Sequence, residues 1–128
     1  MDKKLFEVAK KYRENSFSPF SRFKVGAALL TEDGKIFGGC NIENSSYGLT
    51  ICAERVAIFK AVSEGYKNFK RLLVLTDTEE LTPPCGACRQ VIWDMCGDIE
   101  IVLMNLKGKD KSFKMKELLP YPFDKNFL

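Results

Sequence analysis

Residues 71–104 read RLLVLTDTEELTPPCGACRQVIWDMCGDIEIVLM. Two short runs rich in Leu, Val and Ile, Arg71–Thr76 and Ile99–Met104, have the length and composition of buried strands. Between them Pro83-Pro84 marks a turn, and Gly86–Cys96 reads as a helix closed by Gly97. Strand, helix, strand is therefore the local order, and the rest of the chain has to build on it.

Working outward, Cys52–Glu64 reads as a buried helix stopped by Gly65. Before it, residues 41–51 are rich in Asn, Ser and Gly without apolar periodicity, a long loop of the kind that often carries function. Phe23–Leu30 alternates, with Phe23, Val25, Ala27 and Leu29 on one face, and ends at Glu32-Asp33-Gly34. Asp-Gly between two apolar runs is a hairpin signal, which makes Lys35–Cys40 the return strand. Leu5, Val8, Ala9 and Tyr12 follow helical spacing, so residues 2–14 form an amphipathic helix that Ser18-Pro19 ends. Downstream, Ser112–Met115 pairs as an edge strand after the turn at Lys107-Gly108, and Lys116–Leu119 forms a last short helix. The expected fold is α/β: a three-layer α/β/α domain with a mixed five-stranded sheet. Both internal helices are expected to begin beyond strand ends on one side of the sheet, where open α/β sheets build their sites.

The chain has 128 residues, the length of a single domain, and shows no repeat or Ser/Gly-rich linker, so 1–128 is read as one catalytic unit. It contains five cysteines and no histidine. The missing imidazole excludes Ser-His-Asp and Cys-His couples and the H-E-x-x-H zinc site, leaving proton chemistry to Asp, Glu, Lys, Tyr, Cys or a metal-bound water. An odd cysteine count without a signal peptide at the charged Met1–Lys4 start argues for reduced thiols or metal ligands and a cytoplasmic location. No apolar run has bilayer-spanning length, and a net charge of +3 gives no basic track for nucleic acid. Lys107, Lys109, Lys111, Lys114 and Lys116 are interrupted by Asp110 and Glu117 and read as a solvated turn and strand edge.

Two segments carry the chemistry, and each opens a predicted helix: Cys52-Ala53-Glu54-Arg55 and Pro84-Cys85-Gly86-Ala87-Cys88-Arg89-Gln90. A C-x-x-C at a helix start sets both sulfurs near free backbone N–H groups and the positive end of the helix dipole, which lowers thiol pKa values. Thiolates are zinc ligands, and Cys52 would supply a third from the other helix. Three protein ligands leave a fourth position for water, the arrangement of a catalytic zinc site. Glu54, two residues after Cys52, can reach that water as a proton shuttle; its structural alternative is a first-turn carboxylate facing the dipole. Zinc with three thiolates carries a net −1, which a nearby guanidinium would offset, and on sequence alone Arg55 and Arg89 are equally eligible. A redox pair, or a structural four-cysteine site recruiting Cys40 or Cys96, is the competing reading; otherwise Cys40 and Cys96 belong to the core.

C-A-E followed by P-C-x-x-C resembles the zinc-dependent nucleoside and nucleobase deaminases. Ser18–Leu30 (SPFSRFKVGAALL), Gly39–Asn44 (GCNIEN), Ala61–Gly65 (AVSEG), Pro84–Val91 (PCGACRQV) and Glu117–Pro120 (ELLP) are similar to the small tetrameric cytidine deaminases, over roughly residues 5–123. The resemblance implies a cytidine deaminase-like fold and a homotetramer. It makes Cys52, Cys85 and Cys88 the ligands of one Zn²⁺ per chain, Glu54 the proton shuttle, and Arg55 rather than Arg89 the thiolate charge balance. It also implies that Asn41 and Glu43 hydrogen-bond the ribose and Phe23 packs on the pyrimidine. Ser45 and Tyr47 lie in the substrate loop, and Phe123 enters a neighbouring subunit's site, so active sites are shared between subunits. The implied reaction, one of pyrimidine salvage, is hydrolysis of cytidine and deoxycytidine to uridine and deoxyuridine plus ammonia. In it Glu54 carries a proton from water on the metal to ring N3 and then to the leaving amine. Ser45 stands where a small apolar residue is common and Pro83 where Ser often precedes Pro-Cys; these departures bear on substrate contacts and not on the zinc chemistry.

Three other readings compete. A deaminase of the same fold could act on a modified nucleoside such as blasticidin S, against which the ribose-reading Asn41-x-Glu43 pair argues. Polynucleotide-editing deaminases usually carry His where Cys52 stands. A non-enzymatic zinc-stabilised module would hold its metal with four protein ligands and lose its fold on chelation.

Overall fold

In a computed structural model, which describes residues 2–128, the stretch from 69 to 105 forms β3 (Phe69–Thr76), α3 (Gly86–Cys96) and β4 (Glu100–Asn105). Around it lie α1 (Asp2–Arg13), β1 (Gly26–Thr31), β2 (Ile36–Cys40), α2 (Ala53–Ser63), β5 (Asp110–Lys114) and α4 (Met115–Leu118). Single 3₁₀ turns occur at Tyr47–Leu49 and Lys125–Phe127. The five strands make one mixed sheet in the order β2-β1-β3-β4-β5. β3 and β4 run parallel, with Leu73 opposite Val102, because helix α3 carries the chain back between them. The other pairs, β1 with β2, β1 with β3 and β4 with β5, are antiparallel.

Side chains alternate across a strand, and here both faces are covered. Leu29, Leu72, Val74, Ile101 and Leu103 pack against α2 and α3 through Ala57, Ile58 and Ile92. Their sequence neighbours Ala28, Leu30, Leu73, Leu75 and Val102 pack against Leu5 and Ala9 of α1. The expected three layers, the mixed five-stranded sheet and the helix order are therefore all present. Each fully buried Leu or Ile contributes about 1.5–3 kcal/mol by leaving water.

The hairpin turn forms at Glu32-Asp33-Gly34, where Gly34 adopts φ +94° and Lys35 N donates to the Thr31 hydroxyl. Close contact of α2 with β2 depends on Gly39: a Cβ there would lie 2.6 Å from the Ala53 carbonyl oxygen and 2.6 Å from the Ala57 nitrogen. That approach fixes where α2, and Cys52 at its start, sits over the sheet. Lys107, Lys109, Lys111 and Lys114 lie on β5 and the turn before it, at the sheet edge as the charge pattern implied, whereas Lys116 is on α4. Among the described residues no helix is long and apolar enough to cross a membrane.

Several element ends shift by one to three residues, and two of the shifts have a visible cause. The first strand starts at Gly26 rather than Phe23, because Asn41 intervenes: its Oδ1 accepts from Val25 N at 2.9 Å and its Nδ2 donates to the Phe23 carbonyl at 2.7 Å. A side chain thus takes the hydrogen bonds a strand ladder would have used. At the other end, β5 occupies 110–114 and Met115 opens α4, since the buried Met115 side chain belongs to the core beneath α3.

Candidate metal centre and substrate cleft

Cys52 and Cys85 are the N-cap residues of α2 and α3, both with extended backbone, and Cys88 lies in the first turn of α3. Neither N-cap side chain caps its own helix, so the first-turn N–H groups of both helices have no side-chain acceptor at the cap. The three Sγ atoms lie within 4.8 Å of one another, and all five cysteines are free thiols. A tetrahedral zinc with bonds of about 2.3 Å needs sulfurs about 3.8 Å apart, so the cluster fits that ion after small side-chain adjustments. The three-cysteine cluster is positioned to coordinate a metal ion, in keeping with a Zn²⁺ cofactor. Cys40 and Cys96 lie apart from it, packed in the core, with their thiols raised by burial, Cys96 to about 12.

The electrostatics favour thiolate at Cys52. Hydrogen bonding with Cys88, then the neighbouring Arg55 guanidinium, hold the Cys52 sulfur at about 5 against its partial burial. Cys88, the partner in that hydrogen bond and fully buried, is pushed upward. Arg55 Nη2 donates to Cys52 Sγ at 3.5 Å. Arg89 turns elsewhere: its Nε donates to the Pro84 carbonyl and its Nη1 to the Leu118 carbonyl, each at 2.8 Å. Geometry therefore separates two arginines that spacing left equal.

Glu54 is 4 % exposed, and burial raises its carboxyl to about 7, with the negative Cys52 sulfur adding to the shift. Together with Cys52 and Cys85 it lines a cavity of about 220 Å³. Phe23, Asn41 and Glu43 line the same cavity, so the buried carboxyl, two of the clustered cysteines and these three side chains converge. Asn41 is nearly buried; besides its bonds to Val25 and Phe23, its Oδ1 accepts from Ser16 Oγ at 2.5 Å. That leaves one amide N–H available to a ligand. The Glu43 carboxylate accepts from Phe20 N at 2.9 Å, Ser21 N at 3.2 Å and the Ser21 hydroxyl, which together hold it below its ordinary range.

Three expected substrate residues are not drawn into this cavity. Ser45 is exposed on the 41–51 loop, and Tyr47 is 75 % exposed with its ring edge-on to Phe20 at 5.7 Å. Phe123 stacks on Phe127 at 5.8 Å on the C-terminal tail, which Gln90 Nε2 fastens by donating to the Phe123 carbonyl. Sequence reasoning missed Ser21, Thr50, Thr76 and Thr82, whose side chains also line the cleft. Isolated hydroxyl residues carry no periodic or motif signal, so only their convergence reveals them. A roomier groove of about 540 Å³ lies where α1 meets β2, past Val8 and Ile36, and holds no cysteine.

An α/β/α sandwich with three cysteines at two helix N-termini and a buried carboxyl beside them defines a metal-dependent hydrolytic centre. Residues 1–104 match the family model described as the cytidine and deoxycytidylate deaminase zinc-binding region, and the chain belongs to that family. It is 54% identical over 126 residues to a cytidine deaminase of Sporosarcina psychrophila, covering 98% of this chain and 93% of the relative. It is 50% identical over 120 residues to a cytidine deaminase of Halalkalibacterium halodurans, covering 93% of this chain and 91% of the relative. The fold superposes on the crystal structure of cytidine deaminase from Burkholderia pseudomallei with TM-score 0.93, 46% identity and coverage of 96% and 99%.

Proposed function

We infer that this chain is a zinc-dependent cytidine deaminase. It hydrolyses cytidine and deoxycytidine to uridine and deoxyuridine plus ammonia, as in pyrimidine salvage, with 1–128 acting as one catalytic domain. The observation that carries this reading is the buried Glu54 carboxyl sharing a cavity with Cys52 and Cys85, beside Cys88.

Zinc held by Cys52, Cys85 and Cys88 would supply an acidified water as nucleophile. Glu54 takes a proton from the water that attacks C4 and delivers it to ring N3. It then moves the proton of the new C4 hydroxyl to the departing amine, so the C4–N bond breaks and ammonia leaves neutral. A carboxyl near pKa 7 is suited to both directions of transfer at neutral pH. Arg55 offsets the thiolate charge. Asn41 offers its spare N–H, and Glu43 its remaining lone pair, to the sugar hydroxyls; Phe23 packs on the base, while Ser45 and Tyr47 contribute from the exposed 41–51 loop.

The exposed Phe123 ring, outside its own chain's cavity, supports a homotetramer in which the tail completes a neighbour's site. Five free cysteines and the absence of a membrane-crossing helix among the described residues support a cytoplasmic setting.

The deciding assay is the fall in ultraviolet absorbance with cytidine and deoxycytidine, for wild type and Glu54→Ala. Activity is expected in wild type and lost in the variant, with about one zinc per chain kept by both. Zinc-loaded wild type inert on both nucleosides would overturn the reading, and preference for blasticidin S would replace its substrate.

A further inference from the structure

Residues 18–23 form a turn that folds over the cleft with unusual backbone. Arg22 N donates to the Ser18 carbonyl at 2.9 Å, and Arg22, not a glycine, adopts φ +59°. A left-handed non-glycine residue costs roughly 1 kcal/mol and persists where its surroundings hold it. What holds it is Ser21. The Ser21 hydroxyl gives its single proton to Glu43 Oε2, and its oxygen accepts from Phe23 N at 3.0 Å. Ser21 N donates to the other carboxylate oxygen of Glu43 at 3.2 Å. Two residues on, Phe23 is fixed at its carbonyl by Asn41. One hydroxyl therefore joins the acidic side chain of the cleft to the aromatic one, and Ser21 itself lines the cavity.

We propose that Ser21 is a positioning residue that sets the preference for a substrate bearing sugar-ring hydroxyls, by fixing the Glu43 carboxylate and the Phe23 backbone in one arrangement. This rests on the reading of Glu43 as a sugar contact. An ionised carboxylate has about four lone-pair positions. Phe20 N, Ser21 N and the Ser21 hydroxyl occupy three, so a hydroxyl of the ligand is the natural fourth partner. Without the Ser21 hydroxyl the carboxylate would be held at one oxygen only and could rotate, and the acceptor would no longer be presented in place. A serine that served only the turn would have no effect that depends on the sugar.

The test compares cytidine with 2′,3′-dideoxycytidine, which lacks both ring hydroxyls, in zinc-loaded wild type, Ser21→Ala, Ser21→Thr and Glu43→Gln. Ser21→Ala is expected to raise KM for cytidine roughly tenfold, the loss of one hydrogen bond to a charged group, with kcat within about twofold. KM for the dideoxy substrate should change little, so discrimination between the two collapses. Ser21→Thr, which keeps the hydroxyl, should restore it. Equal KM increases for both substrates, or no increase in Ser21→Ala while Glu43→Gln does lose discrimination, would overturn the role of Ser21 and leave Glu43 as the sugar contact. Unchanged discrimination in Glu43→Gln would remove the sugar-contact reading itself, and the proposal with it.

Discussion

Arg55 Nη2 lies 3.5 Å from Cys52 Sγ, one turn apart on α2, and among the described residues no carboxylate pairs with this guanidinium. Its charge is directed at sulfur, where three thiolates would otherwise leave a net negative centre. Arg55→Gln removes the charge while keeping a polar, though shorter, side chain. It is expected to lower kcat by about tenfold or more, since an unscreened anionic centre disfavours making an anionic nucleophile. Zinc content by metal analysis should stay close to wild type. Arg89→Gln should instead act on stability, because Arg89 clamps the Pro84 and Leu118 carbonyls.

The cysteines should divide by reactivity. In folded protein stripped of metal by a chelator, Cys52 is expected to alkylate first, because its thiol sits at about 5 and is ionised at neutral pH. Cys96, pushed up to about 12 by burial, stays protonated and unreactive at pH 8. Because that folded value is raised, the neutral Cys96 favours the native state below the ordinary thiol range, and this contribution is lost as pH rises toward 12. Mass spectrometry of timed alkylation reads the order, and prior zinc loading should protect Cys52, Cys85 and Cys88 together.

Gly39 should tolerate no side chain. Gly39→Val drives a Cβ into the Ala53 carbonyl and the Ala57 nitrogen of α2, backbone atoms that have nowhere to go without moving the helix. A loss of about 3 kcal/mol in urea unfolding of the zinc-loaded protein is expected. Gly48→Ala is the control: nothing lies within 4 Å of the added methyl, and its effect should stay within about 0.5 kcal/mol.

The tail aromatic offers a test of assembly. Phe123→Ala should leave the proposed tetramer intact by light scattering, since the ring is 57 % exposed and its backbone carbonyl keeps the Gln90 bond. KM for cytidine should nonetheless rise several-fold. A tetrameric variant with unchanged KM would reject the shared-site reading.

Some features were readable because their causes are local. C-x-x-C after Pro-Pro and C-A-E before a helical run place sulfur and carboxylate at helix starts, where backbone N–H groups and the dipole act over one turn. Apolar runs bounded by Gly and Pro located every helix and strand to within a few residues. Phe23 shows the limit of that logic. Its alternation with Val25 and Ala27 is strand-like, yet Asn41 captures the backbone on either side of Lys24 and turns Phe23 into the cleft.

What local pattern could not supply depends on groups far apart in the chain. Strand order β2-β1-β3-β4-β5 follows from which faces can be buried together, a property of the assembled sheet. Thr76 and Thr82 join the cleft only once β3 and the loop to α3 are in place. Spacing and helix-start chemistry singled out the three cysteines that cluster and the buried Glu54 beside them. Packing around Gly39 and the hydrogen bonds of Arg89 decided which arginine reaches the thiolates, because a guanidinium has several acceptors within reach and only the tertiary structure selects among them.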